Sequence, residues 1–400
     1  MISFREALGR LMEAVVPLGS ERIRIENAAG RVLRQRVVAD REFPPFDRVM
    51  MDGFALRSAD WVDGTRVFKV TGQAPAGMPC VAMDAASGTC VEVMTGAPCP
   101  DGADCVVPVE ELLGMERGSA KFRDPAEAPV AGKFIHRRGS DVAAGEILLE
   151  EGRLLGAREI GVAASCGAGW LEVSRMPVIS VVATGDELVA VDETPQPHQI
   201  RQSNAYALAA GLAGSGFPAA NVGMVCDDEE MAVAAVAEWL ASGDWLILTG
   251  AVSKGARDFV PVVLEELGCR CLFHGVAQRP GKPAGCWIGP KGQIVMALPG
   301  NPVSAITGLH AFVIPALVKA VGMMPVRQKR VVPGERMPGL DGMTLHLPVT
   351  LGEDGRAEPA PTGNSGDFIG LLKSDGFVTL PPREEQPGII PAAVPFTPWL

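Results

Sequence analysis

The chain has 400 residues, 47% of them hydrophobic and 21% charged, with Lys+Arg 36 against Asp+Glu 47 and a formal net charge of −11. At roughly 150 residues per domain this supports two to four buried cores, which excludes disorder over most of the chain. The acidic balance also excludes a polybasic surface for nucleic acid or anionic lipid, so an anionic ligand must be held locally, by backbone N–H groups, a metal or a few placed cations.

In chain order, Phe4, Leu8, Leu11, Met12, Val15 and Val16 recur at helical spacing with charges between them. This predicts an amphipathic helix rather than a secretory segment, and with it a cytoplasmic location. The apolar stretches 245–252 and 311–318 fall short of the roughly 18 residues that cross a bilayer, so no membrane association is expected. Nine cysteines occur singly, without a C-x-x-C pair, and read as reduced, mostly buried small side chains; Cys269 and Cys271 are expected on opposite faces of a strand. Gly 47 and Pro 33 imply many turns and many short strands.

The expected fold class is multidomain α/β plus β. Residues 1–44 with 131–175 read as a mixed α/β domain, and 45–130 as an inserted all-β domain with strands such as Val67-Phe68-Lys69-Val70 and Thr89-Cys90-Val91-Glu92-Val93-Met94. Residues 176–325 alternate strand, turn and helix, with helices over about 204–214 and 229–241, which predicts a doubly wound, open parallel sheet. Residues 326–400 return to short strands, as in a small C-terminal β-barrel or sandwich.

An open parallel sheet binds ligands beyond the carboxyl ends of its strands. Two such ends carry nearly matching turns, Ala183-Thr184-Gly185-Asp186-Glu187 and Leu248-Thr249-Gly250-Ala251-Val252-Ser253, the second leading to Asp258. Thr and Gly let backbone approach an anion, and a following carboxylate can hold a cation against it; each turn alone would also serve as ordinary strand punctuation. Arg279-Pro280-Gly281-Lys282-Pro283 and Pro299-Gly300-Asn301-Pro302-Val303-Ser304 add rigid turns with two cations ahead of an apolar helix that Asn301 or Ser304 could cap, which together read as an oxyanion pocket. Asp47, Asp52 and Asp141 sit in Gly-containing turns that, singly, read as solvated. The five histidines lack ligand spacing, and neither a Gly-x-Ser-x-Gly elbow nor a full Walker sequence occurs.

Pro44-Pro45-Phe46-Asp47, Met51-Asp52-Gly53-Phe54-Ala55, Met94-Thr95-Gly96-Ala97-Pro98, Thr184-Gly185-Asp186-Glu187-Leu188, Gln202-Ser203-Asn204, Pro280-Gly281-Lys282-Pro283 and Leu298-Pro299-Gly300-Asn301-Pro302-Val303-Ser304 occur in the order seen in the MoeA family of molybdopterin molybdenumtransferases, which includes the gephyrin E domain. The resemblance covers about residues 1–325. It implies an elongated homodimer of four-part subunits, with the α/β domain as the molybdopterin-binding domain and an active cleft completed by the partner's inserted domain. It further implies molybdenum insertion into adenylylated molybdopterin, with molybdate as second substrate, Mg2+ or another divalent cation as cofactor, and release of AMP. Protein partners of that chemistry would be molybdopterin adenylyltransferase or molybdoenzymes.

Carried over position by position, the resemblance makes Asp52, Thr95, Glu187, Asp258 and Lys282 catalytic, with Asp52, Asp141, Glu187 and Asp258 on the cation. Thr184, Gly185, Ser203, Asn204, Gly250, Ser253, Pro299, Gly300 and Asn301 would hold the pterin and its phosphates, and Arg279, Lys282 and Ser304 the molybdate. Some positions depart from the family pattern: Arg48-Val49-Met50 follows Asp47, and Ala251 stands where Gly is usual. In the C-terminal region Leu345-His346-Leu347 lacks the usual Arg, and Asp367 aligns with the usual Ser, for which Ser365 could substitute. The altered C-terminal region motivates one alternative, a non-catalytic carrier or scaffold for the cofactor; another, adenylylation of molybdopterin itself, rests only on the α/β domain, and the surrounding three domains argue against it.

Overall fold

A computed structural model describes residues 1–124, 128–225, 229–250, 260–325, 327–334, 337–385 and 393–399, with side chains left out over 229–231. Two compact units result. One comprises Met1–Arg34, Glu151–Gly156 and Trp170–Leu400; the other comprises Gln35–Glu150 and Ala157–Gly169.

The larger unit is built on a six-stranded sheet in the order Asn221–Val225, Ile179–Thr184, Trp245–Thr249, Ile294–Leu298, Gly285–Ile288, Arg270–His274. The first four strands are parallel; the last two are antiparallel, so the expected open parallel sheet is in fact mixed at one edge. For Gly285–Ile288 and Ile294–Leu298 the reason is connectivity: consecutive short strands joined without a crossover helix pair antiparallel.

Alternation along the buried strands sorts side chains to two faces. Val181, Ala183 and Ile247 join Ala205, Leu208 and Leu212 of the helix Asn204–Gly214, while Val182, Leu246 and Leu248 join Val236 and Leu240 of the helix Glu229–Ala241 and Val263 and Leu264 of Val260–Glu266. Helices thus cover both faces, the doubly wound arrangement. The amphipathic helix Phe4–Ala14 buries Ala7 and Leu11 in the first of these cores, and its Ser3 cap accepts from Glu6 N at 3.1 Å. Residues 302–320 form one helical run that passes through a π-helical turn at Leu309–Val313; it is long and apolar enough to cross a bilayer, yet 72% of it is buried in the core. A Cβ at Gly211 would lie 2.7 Å from Leu309 Cδ2, so glycine lets this helix and Asn204–Gly214 approach closely.

At the amino ends of the central strands, Arg175 donates to both Asp244 oxygens at 2.8 and 2.9 Å, and Val178 N donates to Asp244 Oδ2 at 2.8 Å. The Arg175 hydrogen bonds hold the Asp244 carboxyl below its ordinary range. Because the folded-state value is depressed, this contribution is complete above the unfolded carboxyl value of about 3.9 and is lost as pH falls through the folded one. Asp244→Asn is therefore expected to destabilise the chain at neutral pH by about 2 kcal/mol and to flatten its acid denaturation curve, as measured by urea unfolding across pH. An unaltered acid limb would refute this.

The C-terminal strands close on themselves as Thr344–Leu351, Arg356–Pro359, Arg330–Pro333, Val394–Pro398, Gly376–Leu380 and back to Thr344–Leu351, a five-stranded barrel around Val349, Ala357, Val378 and Phe396. Strand Val276–Arg279 does not join the α/β sheet. It pairs in parallel with the barrel strand, Gln278 opposite Thr344 and Arg279 opposite Leu345.

The smaller unit holds a second six-stranded sheet, ordered Cys105–Pro108, Gly53–Leu56, Thr89–Val93, Val67–Ala74, Ser119–Phe122, Leu112–Glu116. Phe54, Leu56 and Val107 face Trp61 and Phe68, whereas Ala55, Val91 and Val106 face Val49 and Ile135. Gly53 is required by strand pairing, since a Cβ there would lie 2.1 Å from the Val107 carbonyl oxygen.

The eight described cysteines are free, and five of them are buried as expected. Burial pushes the Cys90 thiol up to about 12 and Cys99 to about 11, so both stay protonated. Cys269 is buried but precedes the strand Arg270–His274, which carries the exposed Cys271, so the two are not on opposite faces of one strand; two residues apart on a strand they would share a face.

Candidate functional site

The two Thr-Gly turns lie side by side. Ala183 pairs with Thr249, and Thr249 with Leu298, so Thr184-Gly185, Gly250 and Pro299-Gly300 leave three adjacent parallel strands at one level. They surround a cavity of about 590 Å³ whose walls also carry Glu187, Ser203, Asn204 and Asn301. The break in strand order lies between Ile179–Thr184 and Trp245–Thr249, because the chain steps to one side for Asn221–Val225 and to the other afterwards. That is where an α/β sheet opens a crevice.

The floor is bare backbone held by side-chain amide and hydroxyl groups. Asn204 Nδ2 donates to Gly300 O at 2.7 Å and to Thr249 Oγ1 at 3.2 Å; Thr249 Oγ1 donates to Pro299 O at 3.1 Å, and Gly250 N to Leu298 O at 3.1 Å. Gly250 has φ +105°, and a Cβ on it would lie 2.2 Å from Thr184 O. Gly185 has φ +153°, and its Cβ would meet Glu187 Oε2 at 2.8 Å, so the Glu187 carboxylate folds over this corner. A Cβ on Gly300 would reach to 3.6 Å from Gly250 Cα. Three glycines thus form a cradle that side chains would fill.

Beside it, the turn 279–282 packs on the helix Pro302–Gly308: a Cβ on Gly281 would lie 3.8 Å from Ser304 O, and the adjoining Pro283 lines the cavity. Arg279 and Lys282 are exposed and Ser304 is buried. Asn301 occupies the N-cap position of this helix, but its side chain does not cap it; Nδ2 donates instead to Ser365 Oγ at 2.9 Å. Pro302 has no N–H, and the N–H of Val303 is taken by Ser365 O at 3.1 Å, so Ser365 rather than Asn301 closes the start of this helix.

Several lining residues were not assigned to the site from sequence, Arg201, Gln202 and Gly366 among them. Arg201 is a cation at the wall, and its Nε donates to Glu193 O at 3.0 Å. Gln202 lies in the quoted Gln202-Ser203-Asn204 motif, and its Oε1, like Thr184 Oγ1, is buried without a hydrogen-bond partner among the described residues. Gly366 comes from the C-terminal region, too far along the chain for local pattern to assign.

In the smaller unit Asp52 and Thr95 flank paired strands and meet: Asp52 Oδ1 accepts from Thr95 N at 2.7 Å and from Thr95 Oγ1 at 2.8 Å. These bonds hold the Asp52 carboxyl below the usual range. Asp141 is engaged by His136 Nε2 at 2.7 Å and Ser140 Oγ at 3.1 Å, and the His136 bond lowers its carboxyl likewise. Arg48 donates to His136 Nδ1 at 3.2 Å, which fixes the Nε2–H tautomer of that ring.

Ser253 and Asp258 lie outside the described residues. Among the described residues no three His, Cys, Asp or Glu side chains converge as a metal centre. Of the carboxylates that the resemblance puts on the cation, Glu187 lines the cavity while Asp52 and Asp141 belong to the smaller unit, and no step is routed through the cation.

Residues 2–167 match the family model described as the MoeA N-terminal region (domain I and II), and residues 180–319 match a probable molybdopterin binding domain. A curated relative, the molybdopterin molybdenumtransferase of Synechocystis sp., is 35% identical over 96% of this chain and 96% of its own length. The chain belongs to the MoeA family.

The corresponding Synechococcus elongatus enzyme is 34% identical over the same shares, and the crystal structure of the molybdopterin biosynthesis MoeA protein from Pyrococcus horikoshii OT3 superimposes with TM-score 0.81 at 25% identity, covering 100% of each chain. Within this MoeA-family chain the C-terminal departures acquire a physical description. Asp367 accepts from Gly363 N and Gly370 N, both at 2.8 Å, which lowers its carboxyl and makes it the cap of the short helix Phe368–Leu371. Ser365 meets Asn301 at the cavity rim and its carbonyl accepts from Val303 N at 3.1 Å. His346 is a core residue between Phe4 and Phe377, and burial pushes it down to about 3, so it stays neutral.

Proposed function

We propose that this chain inserts molybdenum into adenylylated molybdopterin with release of AMP, a late step of molybdenum cofactor biosynthesis, and that it does so as a homodimer. The observation that carries this reading is the register that sets Thr184-Gly185, Gly250 and Pro299-Gly300 around one cavity beside the Arg279–Lys282 turn. The glycine cradle suits pterin and phosphate oxygens, which need close backbone approach. Arg279, Lys282 and Ser304 suit molybdate: two cations on a turn that packs against the helix Pro302–Gly308, which carries the buried serine.

Pyrophosphate cleavage asks the protein for positioning and charge stabilisation more than for a strong nucleophile. Asn204 and Thr249 keep the floor rigid, and Lys282 neutralises charge at the oxyanion. Ser365 at the rim, with Asp367 committed to its own backbone, favours catalysis over the carrier alternative, because it offers a hydroxyl where the repulsive carboxylate was expected. The deciding assay is molybdate-dependent AMP release from adenylylated molybdopterin by the purified chain. Tight cofactor binding without AMP would establish the carrier instead, and a monomer in light scattering would remove the dimer.

Asp52 and Thr95 act as a pair at the adenylate in this reading. Thr95→Val removes the hydroxyl bond and is expected to raise the Asp52 carboxyl toward its ordinary value. The acid limb of the AMP-release profile then moves to higher pH, since a less depressed carboxylate protonates earlier as pH falls. An acid limb that stays in place would exclude Asp52 as the titrating group.

A further inference from the structure

We propose that Gln278 is a positioning residue that aims the Arg279–Lys282 turn at the oxyanion, a role resting on the reading above that this turn receives molybdate. Gln278 is 1% exposed and sits opposite Thr344 where the strand Val276–Arg279 joins the barrel. Its Nε2 donates to Gly281 O at 3.2 Å, bracing the turn from beneath, and the same carbonyl accepts from Ala284 N at 3.1 Å. Gly281 has φ +90°, and a Cβ there would lie 2.8 Å from Gln278 Nε2, so the amide fits under a glycine. Arg279 and Lys282 are exposed, and the backbone of the turn sets where each side chain begins.

The other end of the same amide makes no contribution to stability through a protein hydrogen bond among the described residues. Gly281 O can only accept, so the amide nitrogen must face it, and Oε1 is left buried with no protein partner among the described residues. A buried unpaired acceptor carries its full desolvation penalty, which an apolar side chain of similar length avoids. Burial alone favours Leu or Met at this position. The hydrogen bond that Gln278 does make goes to the turn bearing the two cations.

Two variants, Gln278→Leu and Gln278→Met, separate positioning from support. Both are expected to raise the half-saturating molybdate concentration for AMP release about tenfold, equivalent to about 1.4 kcal/mol. The half-saturating concentration of adenylylated molybdopterin should stay unchanged, and the thermal unfolding midpoint should stay equal or rise. Unchanged molybdate dependence overturns the proposal; so does a parallel rise for both substrates with a lowered unfolding midpoint, which marks a structural role. Wild-type protein that releases no AMP with molybdate overturns the functional reading instead. In that case molybdate binding by calorimetry decides: weaker binding by both variants upholds the brace, and equal or absent binding in wild type and variants overturns it.

Discussion

Gly250→Ala is expected to abolish molybdate-dependent AMP release and to destabilise the chain by about 4 kcal/mol, combining strain at a positive φ with overpacking against backbone. The added Cβ would lie 2.2 Å from Thr184 O and 2.7 Å from Thr184 Oγ1, and the carbonyl belongs to the neighbouring strand end, so no side-chain rotation relieves the contact. Relief requires the ends of Ile179–Thr184 and Trp245–Thr249 to part, which opens the cavity floor that Thr249 and Asn204 hold together. Gly216→Ala is the control: φ is +84° there, but nothing lies within 4 Å of where a Cβ would sit, so only the conformational strain remains. Urea unfolding of the two variants, with AMP release measured on each, tests the argument. Equal destabilisation by both would show that crowding at the strand ends plays no part.

Lys282→Ala should lower kcat/KM for molybdate by about 10²–10³-fold, the usual effect of removing one group that stabilises charge in the transition state. The chain carries a net charge of −11, so the surrounding field does not replace the lost cation. Lys282 is exposed, and Val276 N donates to its carbonyl at 2.8 Å, so the turn keeps its backbone bonds when the side chain is cut. Stability is therefore expected to hold while the rate falls. Arg279→Lys preserves charge and should retain most activity, whereas Arg279→Ala should resemble Lys282→Ala. A Lys282→Ala rate within about threefold of wild type would remove this residue from the oxyanion site.

Much of this architecture was legible because it is written at short range. The apolar run 177–183 ending in Thr184-Gly185 could only be a buried strand stopping at a turn, and Ala-rich 204–214 could only be a helix; the structure places them at Ile179–Thr184 and Asn204–Gly214. Neighbouring turn residues predicted the glycine corners for the same reason. Pairings across long stretches of chain were not legible. Val276-Ala277-Gln278-Arg279 carries a weak strand pattern, and nothing local says that it pairs with Thr344 and Leu345 rather than with the α/β sheet. Asn301 reads as a helix cap until Ser365 is beside it, and Asp367 reads as a repulsive charge until Gly363 and Gly370 donate to it.

The order of elements, the side of each strand that is buried and the residues able to bend tightly follow from the sequence by itself, since periodicity and turn chemistry depend on neighbours one to four residues apart. Which strand ends stand together, and therefore that three glycine corners enclose one cavity beside two cations, was decided only by tertiary structure. Register between distant strands is selected by the summed burial of both sheet faces, a quantity that no short stretch of sequence contains.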